Sequence, residues 1–166
     1  AAPGGLGQAG RYDVRQQDVD ITLLQAMELA QERDTIALEY VTDFAITFEL
    51  GYASLARFWD EGHGFSDSVV QAYLTILAQV PDTLIVRKKG WEAAREVSRQ
   101  AGEVLDAGGA FTEDGRRALR EFDGAIRDPR HRFNPVTTAD LVAATLFVFL
   151  TEGKGLESFP ALLARW

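Results

Sequence analysis

The sequence predicts an all-α fold, a compact multi-helix domain of roughly six or seven helices around a long, mostly buried central helix. Three observations carry that prediction. Apolar residues recur at three- and four-residue intervals through most of the chain, no run alternates apolar and polar residues as a strand does, and prolines and glycine pairs fall where helices should stop. The chain has 166 residues, of which 46% are hydrophobic, with no sustained heptads and no internal repeat, so one core is expected. Residues 1–19 read as a Gly-rich lead-in loop and 20–166 as a single helical domain.

The opening AAPGGLGQAG is too small and flexible to start a core, and no initiating Met precedes it; it reads as a loop whose preceding element lies outside the sequence, or as an added terminal tag. Asp20 is the expected N-cap of the first helix, whose apolar positions are Ile21, Leu24, Met27, Leu29 and Ala30. Next, TIALEYVTDFAITFELGYASLARFWDEG has no proline and carries aromatic and aliphatic groups around its circumference. It is the expected buried central helix, running from Thr35 to about Gly62. In SDSVVQAYLTILAQV, Ser66 or Ser68 is the expected cap, and Val70, Tyr73, Leu74 and Leu77 form one face. Pro81 ends it, because its ring pushes the residue before it out of the helical region.

PDTLIVRKKG starts a new segment with three consecutive cations ahead of Gly90, and WEAAREVSRQAGEVLDAGG is helical up to Gly108 and Gly109. TEDGRRALREFDGAIRD is an amphipathic helix with Leu119, Phe122 and Ile126 on its apolar side, closed by Asp128 and Pro129. In FNPVTTADLVAATLFVF, Thr137 and Asp140 have the N-cap to N3 spacing of a capping box, with Asp shorter than the usual Glu. ESFPALLARW is a short terminal helix or tail.

Charge narrows the partners. Seventeen basic against twenty-five acidic residues leave a net charge of -8, which disfavours general attraction to a nucleic-acid backbone or an anionic membrane and leaves room for a local basic site. With no cysteine there is no disulfide, thiolate nucleophile or thiolate metal site, and His63 and His131 are the imidazoles. The apolar run Leu141 to Leu150 is about half of what a membrane span needs. No nucleic acid, no membrane and a cytoplasmic location are expected.

Three stretches can carry chemistry. Arg87 and Lys88, beside Lys89, can clamp an anion near Asp82 and Thr83, or they can simply complement the negative end of a helix dipole. Asn134, Thr137 and Thr138 offer an amide, two hydroxyls and the free N–H groups of a helix start to a phosphate, with Asp140 placed to accept a proton or meet a metal; a plain cap explains Thr137 and Asp140 equally well. Glu32, Asp34 and Glu39 can meet Mg2+ or stand as a solvated face. His63 reads as a surface loop residue and His131 as a weak ligand candidate. PGGLG follows no strand, so it is no dinucleotide fingerprint.

Taken in order, PGGLG, ERDTIALEY, PDTLIVRKKG, VSRQAGEVLDAGG and NPVTTADLVAATLF resemble the triphosphoribosyl-dephospho-coenzyme A synthase family, ATP:dephospho-CoA triphosphoribosyl transferases, in its C-terminal portion. The similarity spans nearly the whole chain, and DTLIVRKKG and NPVTTADLVAATLF are its most specific pieces. The resemblance implies an all-helical enzyme that joins the ribose of ATP to a ribose hydroxyl of dephospho-CoA and expels adenine, with Mg2+ on the triphosphate. It implies that Arg87 and Lys88 hold phosphate and that Asn134, Thr137 and Thr138 bind nucleotide. Asp140 would be the first choice for general base or metal contact, with Asp82 second for catalysis and Asp34 for metal. Family members have Gly in NPGTTADL where this chain has Val136, which removes an inexpensive positive φ. They also carry an N-terminal half, so a missing half or a second copy is expected to complete the site. Two alternatives stay open: a relative acting on a different acceptor, and a non-catalytic helical binding or assembly module.

Overall fold

The computed structural model describes residues 21–155, and the lead-in loop and the ESFPALLARW tail lie outside that range. Among the described residues the regular structure is entirely helical. In chain order the helices are α1 (Leu23–Glu28), α2 (Thr35–Val41), a π-helical segment (Ile46–Tyr52), α3 (Ala53–Asp60), α4 (Phe65–Gln79), α5 (Thr83–Lys89) and α6 (Trp91–Asp106). A 3-10 turn (Gly109–Phe111), α7 (Glu113–Ile126) and α8 (Val136–Thr151) follow.

The expected single helix from Thr35 to Gly62 is broken. Asp43 and Phe44 have φ of 53° and 62°, which places both in the left-handed region, and the chain restarts as the π-helical segment running into α3. The cause is Glu39. Its side chain, 2% exposed, turns back and accepts the N–H groups of Ile46 at 2.8 Å and Thr47 at 3.0 Å, together with the Thr47 hydroxyl. Those are the N–H groups that a helix start leaves unpaired, so Glu39 caps the second half from inside the first. The Phe44 N–H closes the turn on the Glu39 carbonyl at 2.7 Å.

The central role passes to α4. It packs against α3, the π-helical segment, the 3-10 turn, α6 and α8. Its residues reach every core cluster. Leu74 and Leu77 join Ile85, Ala94, Val97 and Phe122; Ala72 joins Leu55 and Phe149; Ile76 joins Leu141 and Val142. Gln71 adds a polar link, its Oε1 accepting the Ala110 N–H of the 3-10 turn at 2.8 Å.

Several caps differ from expectation. Thr22, with Gln25, forms the capping box of α1, and the expected cap Asp20 lies outside the described residues. Gly64 precedes α4 without a side-chain cap, and Ser68 lies buried inside the helix. Pro135 precedes α8 without a side-chain cap, so Thr137 and Asp140 do not form a capping box. The stop at Gly108 and Gly109 stands, both with positive φ. No single helix among the described residues is long and apolar enough to cross a membrane.

Candidate functional site

The two most specific motifs meet where α2, α5 and α8 begin. Asp82 is 1% exposed and caps its own helix, its Oδ1 accepting the N–H groups of Leu84 at 2.9 Å and Ile85 at 3.2 Å. Its Oδ2 crosses to α8 and accepts the Thr138 N–H at 2.8 Å and the Thr138 hydroxyl at 3.0 Å. The cap that α8 lacks in its own sequence is therefore supplied by α5. Four donors on one carboxylate also satisfy the requirement that a buried polar group be paired.

A chain of threonine hydroxyls runs beside it. The Thr35 N–H and hydroxyl meet Thr83 Oγ1 at 3.2 and 3.3 Å, and the Thr83 hydroxyl meets Thr137 Oγ1 at 3.4 Å. All three are buried. Asp34 is the third cap: its Oδ1 accepts the Ile36 N–H at 3.1 Å while its Oδ2 accepts Arg87 Nη1 at 3.1 Å. This ion pair is only 18% and 16% exposed.

The basic turn at the end of α5 is accordingly divided. Arg87 faces Asp34, Lys88 donates to the His131 carbonyl at 2.9 Å, and Lys89 lies 5.4 Å above the Phe133 ring. These are not three parallel arms of one clamp. Asp140 is exposed on α8 one turn beyond Val136, with no hydrogen-bond partner among the described residues. Asn134 lies in the loop just before α8, its Nδ2 3.4 Å from His131 Nδ1. Val136 takes the first position of α8 with no positive φ, so the start of this helix does not require glycine.

The expected site residues thus separate by what they touch. Asp82, Thr137, Thr138, Asp34 and Arg87 are joined in one network that locks three helix starts together, whereas Lys88, Asn134 and Asp140 stand toward solvent around it. Glu39, weighed with Asp34 as a metal carboxylate, is buried in α2 and committed to the start of the π-helical segment instead. Among the described residues no three carboxylate or imidazole side chains gather as a metal site. The sequence reading places Thr83 only beside the basic turn and gives Thr35 no role in the site, although a signal is present. Asp34-Thr35-Ile36 and Asp82-Thr83-Leu84 repeat one pattern, a cap followed by a threonine in the first helical position.

His63 stacks on Phe111, with ring centroids 3.6 Å apart, and lies 3.6 Å from Glu61. It packs the loop ahead of α4 against the 3-10 turn, far in sequence from both motifs.

Comparison with known proteins agrees with the motifs. A family model described as ATP:dephospho-CoA triphosphoribosyl transferase matches residues 1–158. A protein of Pseudomonas savastanoi pv. phaseolicola named probable 2-(5''-triphosphoribosyl)-3'-dephosphocoenzyme-A synthase is 33% identical over 133 residues, which cover 80% of this chain and 40% of that protein. Proteins of the same name from Pseudomonas fluorescens Pf-5 and Azotobacter vinelandii are 33% and 37% identical over 63% and 54% of this chain, and over 35% and 28% of their own lengths. The chain therefore spans well under half the length of these curated relatives. No solved structure matches it. On the family match across nearly its full length, the chain belongs to the ATP:dephospho-CoA triphosphoribosyl transferase family.

Proposed function

We propose that this chain supplies part of the active site of a triphosphoribosyl transferase that uses ATP and dephospho-CoA. In that reaction a ribose hydroxyl of the acceptor attacks C1' of the ATP ribose, the bond from C1' to adenine breaks, and adenine leaves with the bonding pair. The hydroxyl proton passes to a base. The observation that carries the reading is the joining of DTLIVRKKG to NPVTTADL through Asp82 and Thr138, which packs the start of α5 against the start of α8.

Within this reading Lys88 meets phosphate, Asn134 meets the nucleotide, and Asp140, whose oxygens are uncommitted, accepts the proton or contacts the metal. Asp82, Thr137 and Thr138 act as positioning residues, and Arg87 reaches phosphate only by leaving Asp34. Mg2+ is typically held by substrate phosphates with one or two carboxylates. Asp140 fits that role; Asp34 fits it only after releasing Arg87. When bound, the ion would neutralise the triphosphate.

Calorimetric titration with ATP and Mg2+ tests the reading. Saturable binding that is lost in Lys88→Ala and Asp140→Ala, both still folded, is the expected result. Binding untouched by either variant would overturn it.

A second reading, an assembly module, is favoured by one observation. Phe147 on α8 is 70% exposed, and Phe48 on the π-helical segment that packs against α8 is 48% exposed. Apolar side chains this open suit a surface covered by another chain. A mass that rises with concentration, and stays monomeric in Phe147→Glu, is what that reading expects.

A further inference from the structure

Two cavities share a wall where α4, α7 and the start of α8 meet. The first, about 380 Å³, has Tyr73, Leu119, Phe122 and Ile126 on its apolar sides and Arg127 and Asn134 at one edge. The second, about 430 Å³, is formed by Arg127, Asp128, Pro129, His131 and Asn134. Because Arg127 and Asn134 border both, the cavities make one groove with an apolar end and a polar end. Each volume is within the roughly 300–1,000 Å³ of small-molecule sites.

The polar end adjoins a basic loop, in a chain whose net charge is -8; the charged groups that line the groove itself are Arg127, Asp123 and Asp128. Arg127, Arg130 and Arg132 fall within six residues of sequence, and Lys88 and Lys89 fold onto the same loop through the His131 carbonyl and the Phe133 ring. Asp123 and Asp128 oppose them, paired with Arg127 at 2.8 Å and Arg132 at 2.6 Å. The Arg130 side chain is exposed with no partner among the described residues. On and against this loop, beside the groove, these five cations stand against two carboxylates, the reverse of the chain as a whole.

The apolar end is held in place. Tyr73 donates its hydroxyl to the Pro135 carbonyl at 3.1 Å, which fixes the last residue before α8 against α4, and Phe122 is buried behind it.

We propose that this groove binds a phosphate ester carrying an apolar or planar body. The body lies between Tyr73 and Phe122, and the phosphate lies at Arg127 and His131, with Arg130 reaching in from the loop beside them. Aromatic walls favour a flat or extended group, guanidinium groups meet phosphate oxygens two at a time, and the Asn134 amide can donate or accept between the ends. The inference rests on the function proposed above only in expecting the molecule to be one of the two substrates. An adenine nucleotide and a phosphorylated pantetheine arm share this chemistry.

The test is calorimetric titration of this chain with ADP, with 4'-phosphopantetheine and with inorganic phosphate, without Mg2+ and at two salt concentrations. Ala139→Trp fills the apolar end from an exposed position on α8, and Arg127→Glu combined with Arg130→Glu reverses charge on the surface; circular dichroism checks that both fold. Saturable binding of one ester, weakened at least tenfold by each variant and by added salt, is expected, and the ester that binds identifies the source. No saturable binding of either ester, or binding that neither variant moves, overturns the groove. ATP and Mg2+ binding that ignores Asp140→Ala would defeat the function proposed above and leave the groove standing. Ester binding that ignores Ala139→Trp and the charge reversal would do the opposite.

Discussion

The Asp82 carboxylate and the Thr138 backbone N–H lie 2.8 Å apart across two helices separated by more than fifty residues of sequence. One carboxylate thereby caps both α5 and α8, and the Thr138 hydroxyl adds a second bond to the same oxygen. Removing it leaves donors on both helices buried and unpaired at once. Asp82→Ala should cost more than about 2 kcal/mol, since a lost cap costs about 0.5–2 and each orphaned buried donor about 1–3. Asp82→Asn, which keeps one strong acceptor oxygen, should fall between. Urea unfolding measures both, and an Asp82→Ala variant within about 0.5 kcal/mol of wild type would show that the junction is held by something else.

Asp140 gives the opposite expectation. It is exposed, takes no part in a capping box and has no partner among the described residues, so Asp140→Ala should stay within about 0.5 kcal/mol of wild-type stability. Its effect should appear in ATP and Mg2+ binding instead, as a loss of at least tenfold. A stability loss equal to that of Asp82→Ala, with binding intact, would reverse the two assignments.

The helical class and most helix stops were legible, because apolar spacing, Pro81 and the Gly108-Gly109 pair act locally. The break at Asp43 and Phe44 was not. Neither residue is a glycine, and the group that imposes the break, Glu39, works by accepting N–H groups seven and eight residues away. The site shows the same limit. That Thr138 and Asp82 matter could be read from their motifs, but that one caps the helix of the other depends on how α5 and α8 pack. Sequence spacing therefore suggested a cap within NPVTTADL, whereas the carboxylate came from DTLIVRKKG.

Tyr73 links stability to alkaline pH. Burial, chiefly, and then the charges of Asp82 and Asp123 raise its phenol well above the ordinary value near 10. A group whose folded pKa is raised contributes stability that is full below its unfolded pKa and lost as pH rises toward the folded one. Stability should therefore hold up to about pH 9 and decline above about pH 10, as the unfolded chain ionises and the folded one does not. Tyr73→Phe should lose about 0.5–1.5 kcal/mol at pH 7 with the bond to Pro135, and should show a shallower alkaline decline. Thermal melts from pH 7 to 11 separate the two effects, and parallel declines for both proteins would remove Tyr73 as the source.

Gly51 sets how closely the π-helical segment approaches α8. A Cβ there would overlap Thr145 Oγ1 and stand 3.2 Å from Thr145 Cβ and 3.3 Å from Ile76 Cδ1, in a fully buried contact. Gly51→Ala should cost about 1–3 kcal/mol, the range for forcing extra volume into a packed core. The Thr145 hydroxyl has no hydrogen-bond partner among the described residues, so Thr145→Ala removes the overlapping atom without breaking a bond. The double variant should then lose less than the sum of the two single losses, by at least about 1 kcal/mol, with the contacts near 3.2 and 3.3 Å leaving part of the strain in place. Additive losses in chemical denaturation would mean that the two helices do not meet at this pair, and that the close approach of the π-helical segment to α8 is set elsewhere.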